Sequence, residues 1–335
     1  MKLLVVIVNF RVAPLVIDCL HSVADELQRV PGTQVALCEN ASGDNSAEVI
    51  RAALDMNGWN AWCSSSVSDK NLGFTGGNNV LIRPALQSAD PPRYVLLLNP
   101  DTVVRPNAFS ALVEFMDQNP AVGIAGSRLE DPDRTPQRSA FRFQSPLGEF
   151  EGNLKLGLVT RLLERWVVAP PVVDYPCETD WVSGASMIVR REVFDTIGLL
   201  DEGFFTYFDD IDFCFNAKQH GWPTWYVPES RVVHLVGQST GVDSAKPRRH
   251  PAYLLEARRR YFVKNHTPAY AAIVDAGMIA GIALARLRRL LTGTGGDTPP
   301  YLLSDAIRHS VFAKGFKVTN VKLPAPARSA QLDSK

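Results

Sequence analysis

The sequence has no excess of either charge and no closely spaced pair of cysteines. Its 335 residues include 35 Lys and Arg against 35 Asp and Glu, so it lacks the basic field expected of a protein whose main partner is nucleic acid. The five cysteines are scattered, with no C-x-x-C pair. This pattern argues against a disulfide framework and a structural zinc site, and is typical of a reducing cytosol.

The sequence also lacks a recognisable secretory signal. A lysine and an apolar run open the chain, but the run ends at Asn9 and no small-residue cleavage site follows. A continuous run of Val, Ile and Leu instead predicts a buried parallel strand. We therefore expect a cytoplasmic protein.

One longer apolar segment, residues 269–285, is interrupted only by Asp275 and is shorter than the ~20 residues that a spanning helix needs. Residues 246–289 around it contain ten Lys and Arg but two acids. Two interpretations stay open. The segment is either a buried helix packed on the domain or a helix lying on an anionic membrane face. The second would place the protein peripherally on the cytoplasmic face of the inner membrane.

Strand-like and helix-like stretches alternate through the first part of the chain. The predicted strands are 3–8, 34–38, 61–66 and 94–98, and the predicted helices are 14–27, 49–54 and 76–89. Repeated strand–helix units indicate a parallel sheet with helices on both faces, whose ligands bind beyond the carboxyl ends of the strands. Polar clusters at 9–11, 39–44 and 99–102 fall at such ends.

The second half is less regular. Prolines interrupt residues 131–180, and arginines alternate there with phenylalanines, which indicates an excursion over the sheet mouth that lines a second substrate site. Regular structure is then predicted as a strand over 182–189, helices over 191–197 and 209–220, and a strand over 224–227.

Four segments carry candidate chemistry. Asp101 follows a buried strand, where it would either hold a divalent cation bridging a diphosphate or start a turn. The glycine-rich stretch 71–79 suits close approach to a ligand, or is a loop with a helix cap; it is neither a P-loop nor G-x-G-x-x-G. The acids at 209, 210 and 212 lie among aromatics, where desolvation would raise the pKa of a general base, while a helix start also favours acids. His234 follows two valines and is more often structural, unless a cation at Asp101 needs another ligand.

Together and in this order, these segments resemble the inverting family 2 glycosyltransferases, within them the rhamnosyltransferase-like branch. The similarity covers about residues 3–265. It rests on the segments 8–10, 39–46, 71–79, 99–102, 181–185, 198–221 and His234. The resemblance implies a glycosyltransferase A-type fold, an α/β fold with a mostly parallel central sheet, helices on both faces and a C-terminal helical extension.

The resemblance also implies roles for individual residues. Asp210 would be the general base, oriented by Asp209 or Asp212, and Trp181 with Gly184 would shape the sugar or acceptor pocket. Asp101 and His234 would hold Mg²⁺ or Mn²⁺. The remaining donor-side residues would be Asn9, Glu39, Asn40, Asp44, Asn71, Gly73, Gly76, Gly77, Asn78, Asn79 and Asn99, with Asp101 among them.

The implied reaction moves a sugar, rhamnose from dTDP-rhamnose in this branch, to a hydroxyl of a glycan or lipid-linked acceptor in cell-envelope synthesis. No nucleic acid partner is expected. The expected organisation is a catalytic domain over 1–245 (a nucleotide-binding part, 1–125, and an acceptor-binding part, 126–245), a basic helical region over 246–322 and a tail over 323–335.

Two positions depart from the family pattern. Asn99 stands where the family's D-x-D motif has its first Asp, and Glu39 replaces the usual Asp before Asn40. Two other functions therefore stay open. One is a catalytically silent sugar-nucleotide-binding partner of another transferase. The other is a nucleotidyltransferase, although the first loop offers a single arginine, Arg11.

Overall fold

The computed structural model describes residues 1–235, 249–293 and 298–321. Its strands are β1 Leu3–Asn9, β2 Thr33–Glu39, β3 Cys63–Val67, β4 Tyr94–Leu98, β5 Thr102–Val104, β6 Ile124–Glu130, β7 Ala140–Phe141, β8 Cys177–Thr179, β9 Trp181–Val182, β10 Ser186–Arg190 and β11 Thr224–His234. Its helices are α1 Ala13–Leu27, α2 Ser46–Met56, α3 Gly73–Leu86, α4 Ala108–Gln118, α5 Pro146–Leu154, α6 Gly157–Leu162, α7 Arg191–Ile197, α8 Asp209–Gln219, α9 Ala252–Asn265, α10 Pro268–Thr292, α11 Leu302–His309 and α12 Val311–Lys314.

Within the described residues, nine strands form one central sheet. Its order is β3-β2-β1-β4-β10-β6-β11-β5, and β8 also pairs with β11. Strands β1 to β4, β6 and β11 run in one direction, while β5, β8 and β10 run against them. A separate ribbon pairs β7 with β9. The predicted mostly parallel sheet is confirmed.

Helices cover both faces of this sheet, as the alternation along β1 shows. Leu3, Val5 and Ile7 join an apolar cluster with residues of α1, α2 and α4. Leu4 and Val6 point the other way, into a cluster with α3, α7 and α8. Because a strand covered on both faces must be apolar throughout, the continuous run that opens the chain is explained.

Several predicted boundaries are wrong, three of them at elements that form the site. The strand predicted over 182–189 is two strands, β9 and β10, separated by a turn at 183–185. The strand predicted over 224–227 continues to His234, with a register shift between Val227 and Arg231. The helix predicted to start at residue 76 starts at Gly73, because contacts with the body of the protein, described below, outweigh the poor helix propensity of its glycines.

The C-terminal apolar helix is longer than predicted. α10 has 25 residues and is long and apolar enough, by length and composition, to cross a membrane, so the expectation that it is too short is wrong. Its Gly277 and Gly281 pack closely on α5, since a Cβ at either position would lie 2.6–2.7 Å from a backbone carbonyl oxygen of α5. The predicted tail, 323–335, and the predicted boundary at 245 lie outside the described residues.

The charge inside this helix is buried and paired. The Asp275 carboxylate accepts hydrogen bonds from Arg258 Nη1 in α9 and from the amide of Val311, at 2.6 Å. Arg258 also lies 3.2 Å from Glu149 in α5. A buried charge is tolerated when it is paired and hydrogen-bonded, so Asp275 fixes one face of α10 to its neighbours.

We expect Asp275→Ala to lower the free energy of unfolding by about 3–5 kcal/mol, because it leaves Arg258 buried with one partner fewer. Urea unfolding followed by circular dichroism measures the change. Asp18→Ala, at an exposed helical position in α1, is the matched control and should change stability by less than about 0.5 kcal/mol. Equal effects of the two variants would contradict the structural role of Asp275.

Candidate active site

Two adjacent strand ends begin the site. Asn9 and Glu39 end β1 and β2 and are paired in register. Asn9 Nδ2 donates to Ser42 Oγ at 3.4 Å, and Glu39 Oε1 accepts from the Ser42 amide at 2.9 Å. Both side chains are buried and shape the loop after β2. Asp44 lies further out and is exposed; its carboxylate accepts from Ser46, which lowers its pKa.

Asn40 joins this loop to the glycine-rich segment. Its Nδ2 donates to Asn71 Oδ1 at 3.1 Å and to the Gly73 carbonyl at 3.0 Å, and its Oδ1 accepts from the Leu72 amide at 2.9 Å. Gly73 has φ +70°, and a Cβ there would lie 2.2 Å from the carbonyl oxygen of Phe205. Glycine is therefore required for this approach.

The rest of the glycine-rich segment packs inward. A Cβ at Gly77 would meet Val8 at 2.6 Å, and one at Gly76 would meet Leu72 at 2.8 Å. Asn78 donates to the Phe74 carbonyl. Asn79 donates to the Leu200 carbonyl and to Glu202, and accepts from the Leu200 amide. These contacts hold α3 against the 200–205 loop, and the donor contacts of this segment stay a prediction.

The candidate cation ligands come together at the end of β4. His234 Nε2 lies 3.5 Å from Asp101 Oδ1 and 3.3 Å from Asn99 Nδ2. The arrangement follows from sheet pairing, since His234 ends β11 opposite Thr102. Two predicted ligands 133 positions apart are thus neighbours.

This donor set fits a weakly held hard cation. In the described part of the chain, no group of three or more His, Cys, Asp and Glu side chains is close enough to hold a metal. Asp101 and His234, with the Asn99 side chain beside His234, make a small set. Mg²⁺ and Mn²⁺ accept such a set when water and substrate phosphates supply the other ligands.

The acidic cluster forms the first turn of α8. The two residues that precede this helix, Tyr207 and Phe208, have φ of 67° and 62°. This conformation costs free energy for non-glycine residues. The strained entry turns Asp210 toward the 183–185 turn. Asp210 Oδ2 accepts from the Gly184 amide at 3.2 Å, and Oδ1 accepts from the Ile211 amide at 2.9 Å.

Burial governs the charge of these acids. Part of Asp210 remains accessible, although protein atoms surround its carboxylate densely, and this desolvation raises its pKa to about 6 against the opposing effect of its amide donors. Asp209 is buried, and burial together with the charges of Asp210 and Asp212 raises its pKa well above the usual range. The expected raised pKa is found at position 210, and the role of Asp210 as a base stays a prediction.

A single turn joins Asp210, the candidate base, to the strand end that carries the candidate cation ligands. The Gly184 amide binds Asp210, and the carbonyl of the next residue, Ala185, accepts from the Asn99 amide at 2.9 Å. A Cβ at Gly184 would lie 3.1 Å from the ring of Phe74 in the glycine-rich segment. Three motifs that are far apart in the sequence therefore meet at residues 183–185. The small residues that interrupt an apolar run here were the signal for this turn.

The third acid has a different environment. Asp212 accepts from Lys264 Nζ and Asn265 Nδ2, both at 2.7 Å. Lys264 also pairs with Asp201 at 2.7 Å. Through these contacts Asp212 faces α9. They support a structural role for Asp212, rather than the predicted role of orienting Asp210. Sequence reasoning missed Asp201 and Lys264, since no local pattern marks two partners 63 positions apart.

Trp181 is part of the β7–β9 ribbon. Its ring stacks on Phe141 with centroids 4.2 Å apart, and its Nε1 donates to the Arg142 carbonyl at 3.0 Å. Beside the ribbon, a cavity of about 380 Å³ is lined by residues of the proline-rich excursion and by Lys218 and Tyr226. The excursion thus lines a cavity, and its use by a second substrate stays a prediction.

The mostly parallel sheet with helices on both faces is that of a glycosyltransferase A-type fold. The sequence profile described as "Glycosyltransferase like family 2" matches residues 2–262. The chain belongs to this family.

Characterised relatives are similar over part of the chain. The N-acetylglucosaminyl-diphospho-decaprenol L-rhamnosyltransferase of Mycobacterium tuberculosis is 31% identical over 160 residues, 45% of this chain and 50% of that protein. Rhamnosyltransferase WbbL of Escherichia coli is 24% identical over 171 residues, 50% of this chain and 62% of that protein. The matched region thus spans about half the length of the first relative.

A solved structure shows the same fold. The structure of GalNAc-T7 with UDP, GalNAc and Mn²⁺ superposes with a TM-score of 0.58 and 14% identity, covering 95% of this chain and 58% of that one. At this identity the similarity concerns the fold alone.

We expect Lys264→Met to lower the free energy of unfolding by about 2 kcal/mol at pH 8, because it leaves the buried Asp212 carboxylate without its cation. Burial raises the pKa of Asp212. As the pH falls, its carboxylate therefore takes up a proton at a higher pH than an ordinary aspartate does. The Asp212 part of the loss should therefore shrink at pH 5, as measured by urea unfolding at both pH values.

Lys218→Met is the matched control, since Lys218 pairs with the less buried Asp180. It should cost less than about 1 kcal/mol at either pH. A Lys264→Met effect that is equally small, or that does not change between the two pH values, would contradict the buried ion pair.

Proposed function

We propose that this protein is an inverting glycosyltransferase that moves a sugar from a nucleoside-diphosphate donor to an acceptor hydroxyl. One observation supports this most. The 183–185 turn binds a partly accessible carboxylate, Asp210, on one side and the strand end that carries Asp101 on the other. A base and a diphosphate-binding edge on one turn suit a single displacement at an anomeric carbon.

Asp210 acts as the general base. Its carboxylate removes the proton of the acceptor hydroxyl as that oxygen attacks the anomeric carbon, and the bond to the departing diphosphate breaks in the same step. Positioned general bases contribute about 10²–10⁴-fold to the rate. The Gly184 and Ile211 amides fix the direction of the carboxylate. Because attack occurs opposite the leaving group, the anomeric configuration inverts.

Asp101 and His234 would hold Mg²⁺ or Mn²⁺, with Asn99 beside them. When bound, such a cation supplies charge stabilisation for a departing diphosphate. Asn99, an amide where the family has a carboxylate, leaves this edge less negative, which suits a diphosphate whose own oxygens complete the ligand set.

Our proposal for the donor and the acceptor rests on the names of the relatives. Two characterised relatives are named as rhamnosyltransferases, so we propose rhamnose from dTDP-rhamnose as the donor sugar. The first is named for a lipid-linked N-acetylglucosaminyl diphosphate, and we propose a lipid-linked or glycan acceptor of the cell envelope. Glu39, Asn40 and the glycine-rich segment would contact the nucleotide.

We expect Asp210→Asn to lower kcat by about 10²–10⁴-fold while donor binding is retained, because the amide cannot accept the acceptor proton. Transfer is measured by chromatography of the product. Donor binding is measured by thermal shift with dTDP-, UDP- and GDP-sugars, with and without Mn²⁺. Asp195→Asn, at an exposed acid of α7, is the control and should retain full activity.

Equal losses of binding and turnover in Asp210→Asn would show that Asp210 has a structural role. Nucleotide-sugar binding by a wild-type protein that transfers nothing would instead identify a silent binding partner.

The raised pKa of Asp210 predicts the pH dependence of catalysis. The base must be ionised, so kcat/KM should fall about tenfold per pH unit below an apparent pKa of about 6 and be level above it. Initial rates between pH 4.5 and pH 8.5, with donor binding checked at each pH, measure the profile. A rate that is independent of pH across this range would contradict the assignment of the base.

A further inference from the structure

Against the described part of the chain, an exposed apolar stripe runs along α10. One exposed residue recurs every three or four positions, so the set lies on one face of the helix. These residues are Ile273, Ala276, Ala280, Leu284, Leu287 and Leu291. Leu287 is 51% exposed and Leu291 is 76% exposed. At 1.5 Å per residue the stripe is about 27 Å long.

The opposite face of α10 is committed to the protein. Asp275 binds Arg258 and the Val311 amide, and Gly277 and Gly281 lie against the backbone of α5. A helix held in this way cannot leave its neighbours to cross a bilayer without exposing a buried ion pair to hydrocarbon. Within the described residues, these contacts leave the stripe exposed.

A second helix with exposed leucines, α6, starts close to the end of α10. Arg288 donates to the Lys155 carbonyl at 3.4 Å, which places the end of α10 beside the start of α6. Leu158 and Leu162 of α6 are 68% and 72% exposed. Two helices from distant parts of the sequence thus carry exposed leucines near the contact between Arg288 and Lys155. We call Leu158, Leu162, Leu284, Leu287, Leu290 and Leu291 the leucine surface.

Cations border the leucine surface. Residues 155–166 and 284–291 contain six Lys and Arg and one acid, Glu164, although the chain as a whole is neutral. By the helical repeat, Arg286 and Arg288 flank the stripe on its two sides. Long basic side chains beside an apolar face suit an interface at which the leucines enter the acyl region and the cations meet lipid phosphates.

We propose that the leucine surface docks the protein on an anionic lipid bilayer, with α10 lying in the membrane plane. A second copy of the chain is the less suitable occupant, because joining two such surfaces would bring their arginines together. The inference rests on exposure and charge and is independent of the proposed reaction.

Docking here would orient the catalytic helix. The buried face of α10, through Ala271 and Val274, shares an apolar cluster with Ile211, the residue after Asp210. A bilayer bound to the stripe would therefore be linked to the acidic cluster through this apolar cluster, so the packing of α10 on α9 and of α9 on α8 would carry the orientation of the membrane to the site.

Co-sedimentation of the full chain with vesicles tests the proposal. We expect binding to phosphatidylcholine vesicles that contain phosphatidylglycerol, weaker binding to pure phosphatidylcholine, and release by high salt or alkaline carbonate. The double variant Leu287→Glu, Leu291→Glu should weaken binding at least about tenfold, because two leucines no longer enter the apolar region. Arg161→Ala with Arg286→Ala should weaken binding to the anionic vesicles only.

Met56→Glu is the control, since Met56 is 85% exposed on α2, outside the leucine surface, and it should bind as the wild type does. Thermal unfolding checks that all variants remain folded. Wild-type protein that stays in the supernatant at low salt would overturn the proposal. Resistance to carbonate would show that α10 spans the bilayer. A dimer in sedimentation velocity that the glutamate variants dissociate would assign the surface to a second copy.

Discussion

Two hydrogen bonds on the 183–185 turn hold the candidate site together. One runs from the Gly184 amide to the Asp210 carboxylate, and the other from the Asn99 amide to the Ala185 carbonyl. Residues 184 and 185 are adjacent, so one peptide unit fixes Asp210, the candidate base, relative to the strand end that carries Asp101. Preorganisation of this kind reduces the rearrangement that a reaction would otherwise require.

Ion pairs with the C-terminal helices stabilise this arrangement. Lys264 in α9 bridges Asp201 and Asp212, the second of which lies in the first turn of α8. Arg260 adds a second cation to Asp201, and despite burial these partners lower the pKa of Asp201 to about 2. The helical extension therefore stabilises the acidic cluster. Charges that composition alone would assign to a basic surface are partly buried partners of acids.

Local patterns predicted much of the fold. Continuous apolar runs marked β1 and β4 because both faces of those strands are covered, and polar residues marked their carboxyl ends. The sheet then brought Asp101 and His234 together through the pairing of β5 with β11, which neither residue's neighbours could indicate. The partners of Asp212 and Asp275 were also unpredictable. The chain has many Lys and Arg, and the packing of the helices decides which of them pairs with each acid. α10 exceeded its predicted length because Arg286, Arg288 and Arg289 end an apolar run without ending a helix.

The most direct test of this account is a crystal structure of the protein soaked with a nucleoside diphosphate and Mn²⁺, measured at a wavelength where manganese scatters anomalously. The account predicts an anomalous peak within coordinating distance of the Asp101 carboxylate and a diphosphate in the crevice that Asp210 faces. A peak elsewhere on the protein, or a diphosphate bound away from that crevice, would contradict it.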